Sequence, residues 1–207
     1  MTAKECILGR RSIRQFKDTP IPKEVLAEIV ETASFAPSWK NTQITRYIAI
    51  TGEVKDKIAS ECTDAYKKNG EIISSAPMLI AVTMITKRSG YERDGSFSTS
   101  KGSGWQMFDT GIAAQTFCLA AHEKGIGSVI LGIFDDAKAA SILGLPEDRE
   151  LVTLIPIGYP AEEPAAPKRK PVDDLLSYQC FYSRRDKTLR LFYGINDPHN
   201  TTPERKT

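Results

Sequence analysis

Three guanidiniums and a hydroxyl fall within five residues, Arg10-Arg11-Ser12-Ile13-Arg14. Arginine stays charged at any working pH and grips phosphate through parallel N–H donors, so this cluster can serve as a compact anion cradle. Standing alone, it reads more readily as a solvated basic helix end. A second segment, APSWKNTQ from Ala36 to Gln43, adds the Ser38 hydroxyl and the amides of Asn41 and Gln43. Such amides donate and accept, which suits the imide edge of a heteroaromatic ring. A third basic group stands at Lys168-Arg169-Lys170. Together the three segments predict a phosphorylated ring cofactor.

Other chemistries lack their residues. Cys6, Cys62, Cys118 and Cys180 are far apart, with no C-x-x-C pair and no histidine at ligand spacing. His122 and His199 are the only histidines, too few for a metal cluster. No metal site, no Cys-His pair and no Ser-His-Asp triad is expected. Gly125-Ile126-Gly127 is no dinucleotide fingerprint. Ile130 stands where the third glycine belongs, and a helix precedes these glycines where a strand is required.

Alternating helices and strands must position the three segments. Val25, Leu26, Ile29, Val30 and Ala33 share one stripe, which predicts a helix from Pro22 to about Phe35. A strand is expected over Arg46 to Thr51 and a charged helix over Glu53 to Lys68. Met78 to Ile85 is almost wholly apolar, the pattern of a strand buried on both faces. Residues 86–104 are rich in Gly, Ser and charge and read as a long loop, with Tyr91 and Phe97 as walls or lid of a binding site. Trp105 to Lys124 predicts a thin helix with apolar residues nearly all round, buried in a core or against a partner. Strands are expected over Ser128 to Leu131 and Leu151 to Ile157, with a helix from Asp135 or Asp136 to Leu143. This alternation predicts layers of helix and sheet.

The bulk properties agree with such a domain. At 207 residues, 41% apolar and 26% charged, the chain can bury a core without metal or disulfide staples. Disorder, collagen-like repeats and coiled coil are excluded. No apolar run nears the roughly 20 residues of a membrane span, and no secretory signal is visible, so a cytoplasmic protein with reduced cysteines is expected. Residues 1–167 hold 19 basic and 21 acidic side chains, whereas the last 40 hold nine and five. That basic excess admits a nucleic-acid-binding module as an alternative, although Pro and acidic residues interrupt it and no aromatic platform appears.

The sequence resembles the FMN-dependent nitroreductases from Arg10 to about Tyr178. The likeness rests on the ordered series RRSIRQF, APS-x-x-N-x-Q, Trp105-x-x-x-Asp109-Thr110-Gly111, GIGSVILGIF, LGLPED, LIPIGYP and PKRKP. Two features depart from the family pattern. Trp39 and Lys40 replace a small residue and glycine before Asn41, and Ile44-Thr45 replace a Pro-Trp pair.

The resemblance implies an α+β fold, a three-layer α/β/α sandwich around a mixed, mostly antiparallel sheet, in an intertwined homodimer with FMN at the subunit interface. It implies a domain over 1–175 and an extension over 176–207 that packs on the partner. Arg10, Arg11, Ser12 and Arg14 would grip the ribityl phosphate, joined by Arg169 and Lys168. Pro37, Ser38 and Asn41 would meet the flavin from the other subunit, and Ile130, Leu131 and Gly132 would pass its N5 edge. The implied activity is reduction of nitroaromatics, quinones or similar small electron-poor acceptors by NADH or NADPH in ping-pong turnover. No side chain is expected to act as acid or base. Dehalogenation, azoline oxidation and flavin breakdown are alternatives on the same fold.

Overall fold

The computed structural model of the chain describes residues 1–178. They belong to two compact units, Met1–Ala165 and a second that begins at Ala166. Cys180, His199 and nearly all of the 176–207 extension lie outside the described residues. The first unit runs α1 (Ala3–Gly9), α2 (Lys23–Ser34), β1 (Thr45–Ile50), α3 (Gly52–Glu61), α4 (Lys67–Ser75) and β2 (Met78–Ile85). It continues with α5 (Gly104–Glu123), β3 (Gly127–Ser128), α6 (Asp136–Ile142) and β4 (Arg149–Gly158). The second unit contributes α7 (Val172–Leu175).

The strands form one sheet in the order β1-β2-β4-β3, and every strand pair is antiparallel. Among the described residues, the parallel element is one bridge, Ser12 to Ser128. β2 is central and buried along its whole length, as its unbroken apolar run predicts. Successive side chains of a strand point to opposite faces, and that alternation divides the core in two. Leu79 and Ala81 pack with Ile58, Ile72, Ile73 and Leu154, in the layer of α3, α4 and α6. Met78, Ile80 and Val82 pack with Ile29, Phe117, Ile155 and Ile157, in the layer of α2 and α5. This is the expected α+β sandwich.

Two expectations need correction. The single helix predicted over Glu53 to Lys68 is two helices joined by a short 3-10 turn, Asp64–Tyr66. The Thr63 hydroxyl donates to Ala59 O at 2.6 Å, a local bond that competes with continuation of the helix. The strand predicted over Ser128 to Leu131 stops at Ser128, because Ile130 leaves the sheet and Leu131 alone returns to pair with Leu154. The remaining predicted elements agree within about two residues, with Asp135 capping α6 through the Lys138 N–H. Cys6, Cys62 and Cys118 are free thiols.

Candidate active site

The Arg10 to Arg14 segment leaves α1 in extended form and runs beside the end of the sheet. The Ile13 N–H donates to Ser128 O at 3.1 Å, and further along Lys17 N–H donates to Tyr159 O at 2.8 Å. Gly127 permits this approach, since a Cβ there would stand 2.8 Å from the Ile13 side chain. The Glu162 carboxylate accepts the Arg14 N–H at 2.6 Å and fixes the segment's far end.

This path distributes the cluster over two cavities. Arg14 lines one of about 470 Å³ together with Lys68, Asn69 and the Ile130–Gly132 stretch. Arg10 and Arg11 line another of about 520 Å³, with His122, Glu162 and Glu163. Arg11 also donates from Nη1 to Leu8 O at 2.6 Å and to Arg10 O at 2.9 Å, so part of its donor set holds the end of α1. Ser12 lines neither cavity and serves through its backbone bridge to Ser128. Among the described residues, no carboxylate forms an ion pair with any of the three guanidiniums. Burial, and then the charges of Arg10 and Arg11, hold the His122 imidazole below its ordinary range.

The Ile130–Gly132 stretch is an exposed apolar edge. Leu131 turns inward and its N–H donates to Leu154 O at 2.9 Å. Ile130 is 47% exposed and Ile133 55%. Gly132 leaves open space where a side chain would stand. Among the described residues the Ile130 and Gly132 N–H groups have no partner, so two donors face outward beside apolar surface. Asn69 is a site residue that the sequence reading missed. It is buried on α4, donates from Nδ2 to Ile133 O at 2.9 Å, and ties this edge to the helix. Its available signal was an amide at a buried position of an otherwise amphipathic helix.

Pro37, Ser38 and Asn41 stand elsewhere. Pro37, Ser38 and Gln43 line a third cavity of about 360 Å³ with Ala33, Arg46, Tyr47 and Asp109, against the α2 and α5 layer. Asn41 is exposed and accepts from Gln43 Nε2 at 3.2 Å. Lys40, Asn41 and Gln43 take φ values of 45°, 56° and 48°, a left-handed region that side chains seldom enter. Several bonds hold that backbone. Asp109, only 3% exposed, accepts from the Trp39 N–H at 2.9 Å and from the Ser89 hydroxyl. Ser89 in turn meets the Thr42 hydroxyl at 2.9 Å, and Lys40 Nζ pairs with Glu92 at 2.9 Å. Trp39 packs on Trp105 with ring centroids 4.7 Å apart. Trp39 and Lys40, the first departure from the family pattern, therefore anchor this loop to Trp105 of α5 and to Glu92.

The Arg14 cavity opens in the α4 layer and the Pro37–Ser38 cavity in the α2 and α5 layer, and they share no residue. One copy of the chain keeps the two groups of site residues apart. Lys168 and Arg169 belong to the second unit, where Arg169 donates to Pro167 O at 3.3 Å.

An antiparallel sheet between two helical layers, with unpaired arginines beside an open backbone edge, defines an α+β protein equipped for an anionic ligand. The chain belongs to the nitroreductase family, whose model matches residues 7–159. The NADPH-flavin oxidoreductase of Vibrio harveyi is 26% identical over 207 residues, spanning 90% of this chain and 85% of its own. A nitroreductase family protein from Clostridium novyi NT shares 28% identity and a TM-score of 0.67, over 78% of this chain and 87% of that one. A structure from Desulfovibrio desulfuricans, solved in complex with FMN, shares 27% identity and a TM-score of 0.67 over 86% and 97%.

Proposed function

We propose that this chain is an FMN-dependent oxidoreductase that uses NADH or NADPH to reduce electron-poor acceptors, nitroaromatics and quinones among them. The observation that carries this reading is the pairing, in one cavity, of the Arg14 guanidinium with the outward amides of Ile130 and Gly132. The residues fit the cofactor: unpaired cations suit its phosphate, and a bare apolar edge with two N–H donors suits its ring. FMN supplies the hydride chemistry when bound. Ile130–Gly132 would lie along the ring with an amide toward N5, while Arg10, Arg11 and Arg14 offset the phosphate charge. No acid or base is required of a side chain.

The same reading includes a homodimer. The outward face of α5 carries Met107, Phe108, Gly111 and Gln115 at helical spacing, all exposed. A second copy against that stripe would cover apolar surface and could bring its own Pro37, Ser38 and Asn41 toward the first copy's Arg14 cavity.

The purified protein should carry a flavin absorption band that survives dialysis. Anaerobic NADPH or NADH should bleach it, and a nitroaromatic or quinone should restore it. A colourless protein that binds no added FMN would end this reading. A second outcome concerns His122. Bound phosphate neutralises the field of Arg10 and Arg11, so the imidazole midpoint measured by proton NMR should start below the ordinary 6.5 and rise when FMN is added. A midpoint that ignores saturating FMN would place the phosphate away from those arginines.

A further inference from the structure

Residues 90–98 fold into a small, well-fastened finger. Tyr91 and Phe97 face each other across an antiparallel bridge, with ring centroids 4.9 Å apart. Glu92 N–H donates to Ser96 O at 2.8 Å, Ser98 N–H donates to Gly90 O at 2.9 Å, and Asp94 accepts from the Ser96 amide and hydroxyl. At its base, Gly90 takes φ +82° and sits against Trp105, where a Cβ would lie 3.0 Å from the indole. Lys40–Glu92 and the Ser89–Asp109 bond tie the finger to the Ser38–Gln43 loop and to α5. Such fastening makes a fixed wall, in contrast to a lid that swings.

Two properties of this wall have no structural use within the described residues. Phe97 is 58% exposed although it sits on a rigid support. Lys87, Arg88, Arg93 and Lys101 are all exposed and form no ion pair among the described residues, whereas Glu92 is matched by Lys40. Residues 86–104 thus carry four cations against two carboxylates. An exposed ring prefers a flat apolar partner, and a surplus of one charge sign raises the local concentration of the opposite ion.

We propose that the finger forms one side of the acceptor site, that Phe97 stacks on the acceptor ring, and that the surplus cations select aromatic acceptors carrying a negative charge. The inference rests on the flavin reading above, since the finger is bonded to the loop assigned to the flavin.

The test compares 4-nitrobenzoate with neutral 4-nitrobenzamide on the holoenzyme under saturating NADPH or NADH. The ratio of their kcat/KM values should favour the anion by about three- to tenfold at low salt and approach one near 0.5 M salt. The double variant R88E/R93E should invert the low-salt ratio. Phe97→Ala should raise KM for both acceptors by roughly two- to tenfold, the worth of an aromatic stacking contact, and Phe97→Tyr should restore most of it. A ratio near one that ignores both salt and charge reversal overturns the proposal while leaving the oxidoreductase reading intact. A bound flavin that neither nicotinamide bleaches overturns both.

Discussion

Replacing Arg14 with alanine is expected to weaken FMN binding by about tenfold to a hundredfold. A hydrogen bond to a charged group contributes roughly 1.5–3 kcal/mol, and each 1.4 kcal/mol is a factor of ten in affinity. Arg14 is singled out because it shares a cavity with Ile130–Gly132, whereas Arg10 and Arg11 line a different one. Its side chain is exposed and, among the described residues, donates only to Ser12 O at 3.2 Å, so its removal should leave the melting temperature nearly unchanged. Lysine at this position keeps the charge and loses the forked donor, and should fall between wild type and alanine. Fluorescence titration of the apoprotein with FMN measures the effect, and riboflavin, which lacks the phosphate, supplies the contrast. If Arg14 meets the phosphate, the variant loses FMN affinity and keeps its riboflavin affinity. Equal losses for both ligands would move Arg14 to the ring, and no loss for either would remove it from the site.

The sequence carried the layers of this fold well and its junctions poorly. β2 was legible because an eight-residue apolar run has one economical use, a strand buried on both faces. α5 was legible for the same reason, with apolar residues around its whole circumference. The α3 to α4 break was not, because it is accompanied by a local side-chain bond, Thr63 to Ala59 O, that no periodicity records. The arginine cluster was visible as chemistry, yet its division between two cavities depends on where Ile13 packs against Gly127. Asn69 carried too weak a signal. A lone amide on a charged, amphipathic helix resembles a surface residue until the fold brings Ile133 O to it.

Trp39 and Lys40 show how a departure from pattern becomes informative once contacts are known. As sequence, they replace a small residue and a glycine, the types that left-handed backbone favours. As structure, Lys40 still adopts φ 45°, and its ammonium reaches Glu92 of the finger. A backbone held in a sparsely populated region needs surrounding contacts to keep it there. Here those contacts come from residues 86–104 and from α5, so the Ser38–Gln43 loop and the finger stand or fall together.

That dependence gives Asp109 consequences beyond its own helix. One buried carboxylate oxygen takes both the Trp39 N–H and the Ser89 hydroxyl, joining α5, the Ser38–Gln43 loop and the base of the finger. Asp109→Ala leaves the half-buried Trp39 N–H without its acceptor, takes from the Ser89 hydroxyl its charged one, and frees the left-handed turn at Lys40 and Asn41. The expected cost is about 3–6 kcal/mol of stability, counting both bonds to a charged group, or roughly 6–24 °C in melting temperature for a chain of this size. FMN retention should fall as well, since Ser38 and Asn41 lose their fixed position. Asp109→Asn still offers an oxygen to one or both donors and should lose less of each. The decisive measurement is a double-mutant cycle with Ser89→Ala, read by denaturant unfolding. If Asp109 acts through this junction, the two substitutions together should cost less than the sum of their separate effects by more than about 0.5 kcal/mol. Additive costs would mean that Asp109 does not act through Ser89, and the Ser38–Gln43 loop would then be held by the Trp39 N–H bond to Asp109 and by Trp39 stacking on Trp105.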